Sequence, residues 1–253
     1  MFLAIDIGNT TTMIGFFEGS ELKGSFRVAS SHAVTSDECG IMIRQLLEFH
    51  AGNDKIVRKI GISSVVPTLT QIYVSMSQKY FGLEPSFLSH HTKLDFKILY
   101  DDPRQVGADR LANTAACLKL YGYPAIVIDL GTATTFDIID IDGNYAGGLI
   151  SPGVWTSASN LFRRAARLFP VKLEKPHKLI GKDTADSMKA GIYYGFIGQM
   201  DYLVNRIKKE LGYSSFKVIA TGGYSDIFAE ESETIQLVDI GLTLKGLQII
   251  FDS

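Results

Sequence analysis

Two short segments of this chain combine the residue types that hold phosphate. They are Ala4-Ile5-Asp6-Ile7-Gly8-Asn9-Thr10-Thr11-Thr12 and Val127-Ile128-Asp129-Leu130-Gly131-Thr132-Ala133-Thr134-Thr135. In each, an acid closes an apolar run, a glycine lets backbone approach a ligand, and amides and hydroxyls follow. Such a turn can cradle phosphate oxygens on its N–H groups while Asp6 holds a hydrated Mg²⁺. A single copy reads equally as a plain hairpin with Asn and Thr as turn formers. Two copies place two acids on buried strands, which is costly unless cations or hydrogen bonds compensate. The pair therefore favours the phosphate reading. Two acids beside a polyphosphate would repel it, so a nucleotide held here demands metal ions as well.

A third acid stands at Gly107-Ala108-Asp109-Arg110, ahead of a helical run from Leu111 to Tyr121 with Leu111, Ala115 and Leu118 on one face. Asp109 at the first turn reads either as an N-cap or dipole-matched acid or as a general base. A helix N-terminus keeps the carboxylate ionised, and a weak base suffices for phosphoryl transfer, where the proton leaves late. Arg110 reads as a partner for a substrate carboxylate or as a surface or structural ion pair. His90-His91 has no acid or Cys partner at ligand spacing and reads as surface. Trp155 reads as a cleft or packed helix residue, and Arg163, Arg164 and Arg167 as a solvated helix face. Thr221-Gly222-Gly223 after an apolar run is a weak sign of bare backbone near a ligand.

The elements that must position these residues repeat. A shift of 123 residues superposes Asp6 on Asp129, Gly8 on Gly131 and the closing threonine pairs on each other. Each half then reads as three meandering strands broken by polar turns, Glu18-Gly19-Ser20 and Asp142-Gly143-Asn144, followed by helices alternating with strands. Thr35-Ser36-Asp37-Glu38 is a capping box, and Cys39, Met42, Ile43, Leu46 and Leu47 form the apolar face behind it. Phe196, Met200, Leu203, Val204, Ile207 and Leu211 give a longer helix in the second half. Buried strands are expected at 59–65 and 216–221, helices at 68–81 and about 241–251.

The expected fold class is α/β, with two lobes, 1–121 and 122–253, each a mixed sheet with helices on its faces. A ligand cleft is expected between them. At 253 residues, 46% hydrophobic and 21% charged, the chain can bury a sizeable core. A net charge of −2 gives no basic excess for nucleic acid. No apolar run is long enough to span a membrane, and the opening Met1 to Asp6 has no basic region typical of a secretory leader. Two isolated cysteines fit a reducing cytoplasm.

The paired hairpins and late T-G-G resemble the acetate kinase, sugar kinase, Hsp70 and actin superfamily, which implies duplicated actin-like, ribonuclease H-like lobes. Within it, Gly107-Ala108-Asp109-Arg110, Gly147-Gly148-Leu149-Ile150-Ser151-Pro152-Gly153 and Leu242-Thr243-Leu244-Lys245-Gly246-Leu247, in this order with the hairpins, resemble type III pantothenate kinase. The resemblance implies ATP-dependent phosphorylation of the terminal hydroxyl of pantothenate, at the start of coenzyme A synthesis. It assigns ATP phosphates to Asp6, Ile7, Gly8, Asn9, Thr10, Thr11, Thr12 and Met13, with Asp6 also holding metal. It assigns pantothenate to Tyr100, Gly107, Ala108, Asp109 and Arg110, with Asp109 as proton acceptor. Asp129 is implied to bind a monovalent cation, K⁺ or NH₄⁺, and Thr132 to contact ATP. A homodimer is implied, with Thr184 closing the pantothenate pocket of the neighbouring subunit. The chain departs from the family's frequent Asp-Pro before the last motif, having Asp239-Ile240. Two other readings stand beside this one: a sugar kinase of the superfamily, and a non-catalytic regulatory relative, which should have lost an essential acid.

Overall fold

Residues Phe2–Ile7 alternate strictly: Leu3, Ile5 and Ile7 enter one core cluster, while Phe2, Ala4 and Asp6 face the other way. The computed structural model, which describes residues 1–252 apart from 53, 54, 166 and 214, places this strand, β1, at the centre of a five-stranded sheet. In chain order the first half gives β1 (Phe2–Ile7), β2 (Thr11–Glu18), β3 (Glu21–Ala29), α1 (Ser36–Ala51), β4 (Lys59–Ser64), α2 (Pro67–Phe81), β5 (Ser86–Phe87), a 3-10 turn at Pro103–Gln105 and α3 (Ala108–Leu120). The sheet order is β3-β2-β1-β4-β5; β3, β2 and β1 are antiparallel, and β1, β4 and β5 parallel. Helix α1 starts at the expected capping box, with Thr35 and Glu38 each satisfying the other's backbone N–H. Cys39, Ile43 and Leu47 of α1, with Leu69, Tyr73 and Met76 of α2, bury the Leu3, Ile5 and Ile7 face.

The second half repeats the plan with β6 (Ala125–Leu130), β7 (Ala133–Ile139), β8 (Tyr145–Pro152), α4 (Val154–Arg164), α5 (Thr184–Leu211), β9 (Lys217–Thr221), α6 (Ser225–Ala229) and β10 (Leu237–Val238). Its order, β10-β9-β6-β7-β8, matches the first sheet strand for strand in neighbour and sense. Ile126, Ile128 and Leu130 pack with Phe136 and Ile138 beneath Tyr193, Ile197, Met200 and Val204 of α5. Tyr193 stacks on Phe228 at 5.4 Å and donates to the carbonyl of Ile227 at 3.1 Å, fixing α6 on α5.

The duplication is not uniform through the hairpins. In the first, Ile7 faces Thr12 and Asp6 faces Met13, with the Gly8 N–H donating to the Thr11 carbonyl. In the second, Leu130 faces Thr134 and Asp129 faces Thr135, with the Gly131 N–H donating to the Ala133 carbonyl. The second loop is therefore one residue tighter, and Met13 and Thr135 correspond at a spacing of 122 rather than 123. A threonine beside Asp129 replaces the methionine beside Asp6.

One boundary differs from the expected 122–253. The compact units are Met1–Tyr121 with Gly241–Ser253, and Gly122–Ile240. The last helix, α7 (Leu242–Asp252), returns to the first unit and packs on β1, β2, β4 and α3. The physical reason lies in Leu242-Thr243-Leu244-Lys245-Gly246-Leu247. The Thr243 hydroxyl donates to Oδ1 of Asn113 at 2.8 Å, both buried, and Leu244 fills the space beside Gly15. A Cβ at Gly246 would lie 2.0 Å from the backbone oxygen of Ala112, so only glycine lets the helices close. Gly246→Ala must push α7 off α3; we expect a loss of about 1–3 kcal/mol in urea unfolding, with a lowered melting temperature.

Candidate functional site

Asp6 is half-buried near the end of β1, with Met13 of β2 and Ser63 of β4 as its in-register neighbours. The Ser63 hydroxyl is fully buried and has no hydrogen-bond partner among the described residues. An unfilled donor beside a carboxylate suits a cation-bound water. Beyond Asp6 the loop is surface: Gly8 is half-buried, and Asn9, Thr10 and Thr11 are exposed. Ile7 and Thr12 differ. Both side chains are fully buried, and the Thr12 hydroxyl lies 2.9 Å from that of Ser30. The half-buried Met13 accepts from Arg27 Nε through its sulfur at 3.3 Å. Of the eight residues assigned to ATP phosphates, Asp6 and Gly8 to Thr11 thus present surface, while Ile7 and Thr12 brace from beneath.

Gly107, not Asp109, caps α3. Asp109 is the second helical residue, half-buried, and its Oδ1 accepts from the N–H of Arg110 at 2.9 Å. Burial raises its carboxyl above the ordinary 3.8, outweighing the downward pull of that bond and of the Arg110 guanidinium. Arg110 is only 5% exposed, which removes the surface ion pair from consideration. Tyr100 is half-buried in the bend before the 3-10 turn, which Asp102 caps by accepting from the Arg104 N–H at 3.1 Å. Tyr100, Gly107, Ala108, Asp109 and Arg110 all belong to the first unit, with Asp6.

In the second unit, Asp129 ends β6 between Thr135 and Thr221. The turn after β9 runs against it. Gly222 adopts φ +89°, and a Cβ there would sit 2.6 Å from Asp129 Oδ1 and 2.7 Å from Leu130 N. This close approach is the reason for Thr221-Gly222-Gly223, which sequence alone signals weakly. One carboxylate flanked by two threonines is a hard, oxygen-only donor set. Thr132 is exposed, and its carbonyl accepts from the Gly153 N–H at 3.2 Å and the Thr156 hydroxyl at 2.7 Å, tying the loop to the start of α4. Thr184 opens α5 behind Asp183, which accepts from the Asp186 N–H at 2.8 Å. It is exposed, on the wall of a groove of about 910 Å³ between α4 and α5 that Leu161, Met188 and Ile192 also line.

Ser30, Ser63 and Thr156 were not legible as site residues, since a lone hydroxyl just past a strand or on a helix carries no pattern. The rings of His90 and His91 lie 3.9 Å apart and tilted at 43°, and among the described residues no three His, Cys, Asp or Glu side chains gather as metal ligands. Trp155 is 47% exposed and meets the ring of Phe162 edge-on at 6.4 Å. No helix among the described residues is long and apolar enough to cross a membrane.

Comparison with known proteins bears on the fold and the family. A chain from Campylobacter jejuni, described as a conserved Baf-family transcriptional activator, superposes with a TM-score of 0.58 at 24% identity over 98% of this chain and 96% of its own. Component A of (R)-2-hydroxyglutaryl-CoA dehydratase from Acidaminococcus fermentans gives 0.58 at 14% identity over 98% and 95%. Both likenesses concern the fold, which is that of duplicated actin-like lobes. In sequence, the type III pantothenate kinase of Moorella thermoacetica is 45% identical over 252 residues, covering 100% of this chain and 99% of that protein. That of Halalkalibacterium halodurans is 44% identical, covering 99% and 98%. The family profile of type III pantothenate kinase matches residues 2–206. This chain therefore belongs to the type III pantothenate kinase family.

Proposed function

We propose that this protein transfers the γ-phosphoryl group of ATP to the terminal hydroxyl of pantothenate, giving 4'-phosphopantothenate for coenzyme A synthesis, with Asp109 accepting the hydroxyl proton. The observation that carries the assignment is the environment of Asp109. Burial makes it a stronger base than a surface aspartate, yet the Arg110 N–H and guanidinium keep its ionised form accessible. Arg110 would meet the pantothenate carboxylate, with Tyr100, Gly107 and Ala108 completing that side of the site. The exposed loop Gly8 to Thr11 receives the ATP phosphates on backbone N–H groups, and the family resemblance gives Thr132 a contact to ATP. Transfer then rests on alignment and on offsetting charge.

Cations belong to this reading. Asp6 would hold a divalent ion, Mg²⁺, through one carboxylate, with the Ser63 hydroxyl meeting a bound water. Asp129, Thr135 and Thr221 would hold a monovalent ion, K⁺ or NH₄⁺. When bound, these ions neutralise the polyphosphate that three acids would otherwise repel. The groove behind Thr184 supports a homodimer in which this threonine completes the partner's pantothenate pocket. Reaction and substrates are those of a cytoplasmic enzyme.

The direct test is ADP release with pantothenate, with and without K⁺. Pantothenate-dependent, K⁺-stimulated release is expected; release with a sugar instead, or silence with both, would overturn the reading in favour of a sugar kinase or a regulatory protein. Asp109→Asn should lower kcat by about 10²–10⁴-fold while nucleotide binding by calorimetry is unchanged. The same variant reports on stability. A raised folded pKa means that the contribution of Asp109 to stability is present at low pH and lost as pH rises through that value. Asp109→Asn should therefore melt above the parent at neutral pH, and the gap should shrink as pH falls towards 3.8. For the dimer, mixing Asp109→Asn with Thr184→Arg tests residue sharing. Each alone should be inactive, and random subunit exchange should restore about a quarter of full activity, one intact site in half of the dimers. No restoration would show that Thr184 serves its own subunit or none.

A further inference from the structure

The residue just past β3 ties three points of the first hairpin together. The Ser30 hydroxyl donates to the Gly8 carbonyl at 2.6 Å, the Ser30 N–H donates to the Thr10 carbonyl at 2.9 Å, and the Ser30 and Thr12 hydroxyls lie 2.9 Å apart. A hydroxyl has one proton, and a carbonyl only accepts. Ser30 spends its proton on Gly8, so Thr12 must donate to Ser30. The result is a one-way chain, Thr12 to Ser30 to the Gly8 carbonyl, running from the buried strand into the loop.

The loop's donors follow from this wiring. Across a planar trans peptide, the carbonyl of one residue and the N–H of the next point in opposite directions. The only cis bond is Tyr123–Pro124 among the described residues, so the loop peptides are trans. Holding the carbonyls of Gly8 and Thr10 towards Ser30 turns the N–H groups of Asn9 and Thr11 away from it. Both residues are exposed. Two N–H groups turned out of a tight loop make a concave site for an anion.

We infer that Ser30 is a positioning residue for phosphoryl transfer: by holding the Gly8 and Thr10 carbonyls to one side, it aims the Asn9 and Thr11 N–H groups at the nucleotide's phosphates. The inference rests on the reading of Gly8 to Thr11 as the ATP loop. Ser30 itself touches no substrate, and the Thr12 hydroxyl beside it keeps its proton directed at Gly8.

The test is a kinetic split. Ser30→Ala removes the Gly8 tie and leaves the backbone bond to Thr10. It should raise KM for ATP about fivefold or more, the worth of one lost hydrogen bond. KM for pantothenate and kcat should stay within about twofold, as the Asp109 side of the site is untouched. Calorimetric affinity for ADP should fall in parallel, and Ser30→Thr, which keeps the hydroxyl, should restore it. Gly8→Ala is the control, since a Cβ there would lie 2.9 Å from the Thr11 carbonyl and distort the loop directly. If Gly8→Ala raises KM for ATP and Ser30→Ala does not, the role of Ser30 is overturned while the loop reading stands. An equal rise in both KM values for Ser30→Ala would also overturn it, marking a merely structural residue. If neither variant moves KM for ATP, the nucleotide reading of the hairpin fails and takes this inference with it.

Discussion

Holding a polyanion without a basic surface is the constraint on which the molecule turns. The chain carries a net charge of −2, and the residues at the two hairpins are acids, not lysines. On the proposed reading of the hairpins, the positive charge for a nucleotide would come from backbone N–H groups and from cations at Asp6 and Asp129. Backbone donors give direction without net charge, and cations give charge without side-chain entropy. This arrangement needs strands that end in carboxylates, loops short enough to aim their amides, and bracing beneath. The central position of β1 and β6 in their sheets supplies the first of these, since a strand paired on both sides cannot shift its register.

The same economy explains the first unit's second face. Burial raises the Asp109 carboxyl above its ordinary range, because the start of α3 is pressed into the fold. That pressing depends on α7, whose Gly246 lies against the Ala112 backbone and whose Thr243 bonds Asn113. A helix more than one hundred residues away in sequence thus helps to seat the helix that carries the acid. The cost is stored as lost stability at neutral pH, the usual exchange between a tuned group and a settled fold.

Most of this architecture was legible because it rests on periodicity. The alternation of β1, the capping box at Thr35 and the apolar face of α1 appear in the structure where the pattern places them. The duplication was visible because the two hairpins share residue types. What escaped was everything fixed by a third dimension. The return of α7 to the first unit depends on one glycine meeting a distant backbone atom, and no local pattern encodes that. The one-residue difference between the loops was hidden because the threonines of the two copies align in sequence while their partners across the ladder do not. Ser30 and Thr156 are single hydroxyls whose bonds reach 22 and 24 residues back to the loops. Thr12, assigned to nucleotide by its place in the motif, is drawn inwards by the alternation of its own strand.

The divergence of the two hairpins follows from what each must brace against. Both loops keep a carbonyl from turning outwards, and each does so with a hydroxyl from another element. In the first unit the brace comes from the end of β3, and in the second from the start of α4, where Gly153 and Thr156 both bond the Thr132 carbonyl. By the same peptide geometry, that grip turns the Ala133 N–H away from α4. A longer loop has two carbonyls to restrain, at Gly8 and Thr10, and frees two amides; the tighter loop has one and frees one. The strands and the acids are thus common to both copies, while the carbonyls restrained in each differ with loop length and with the neighbouring element that carries a hydroxyl within reach.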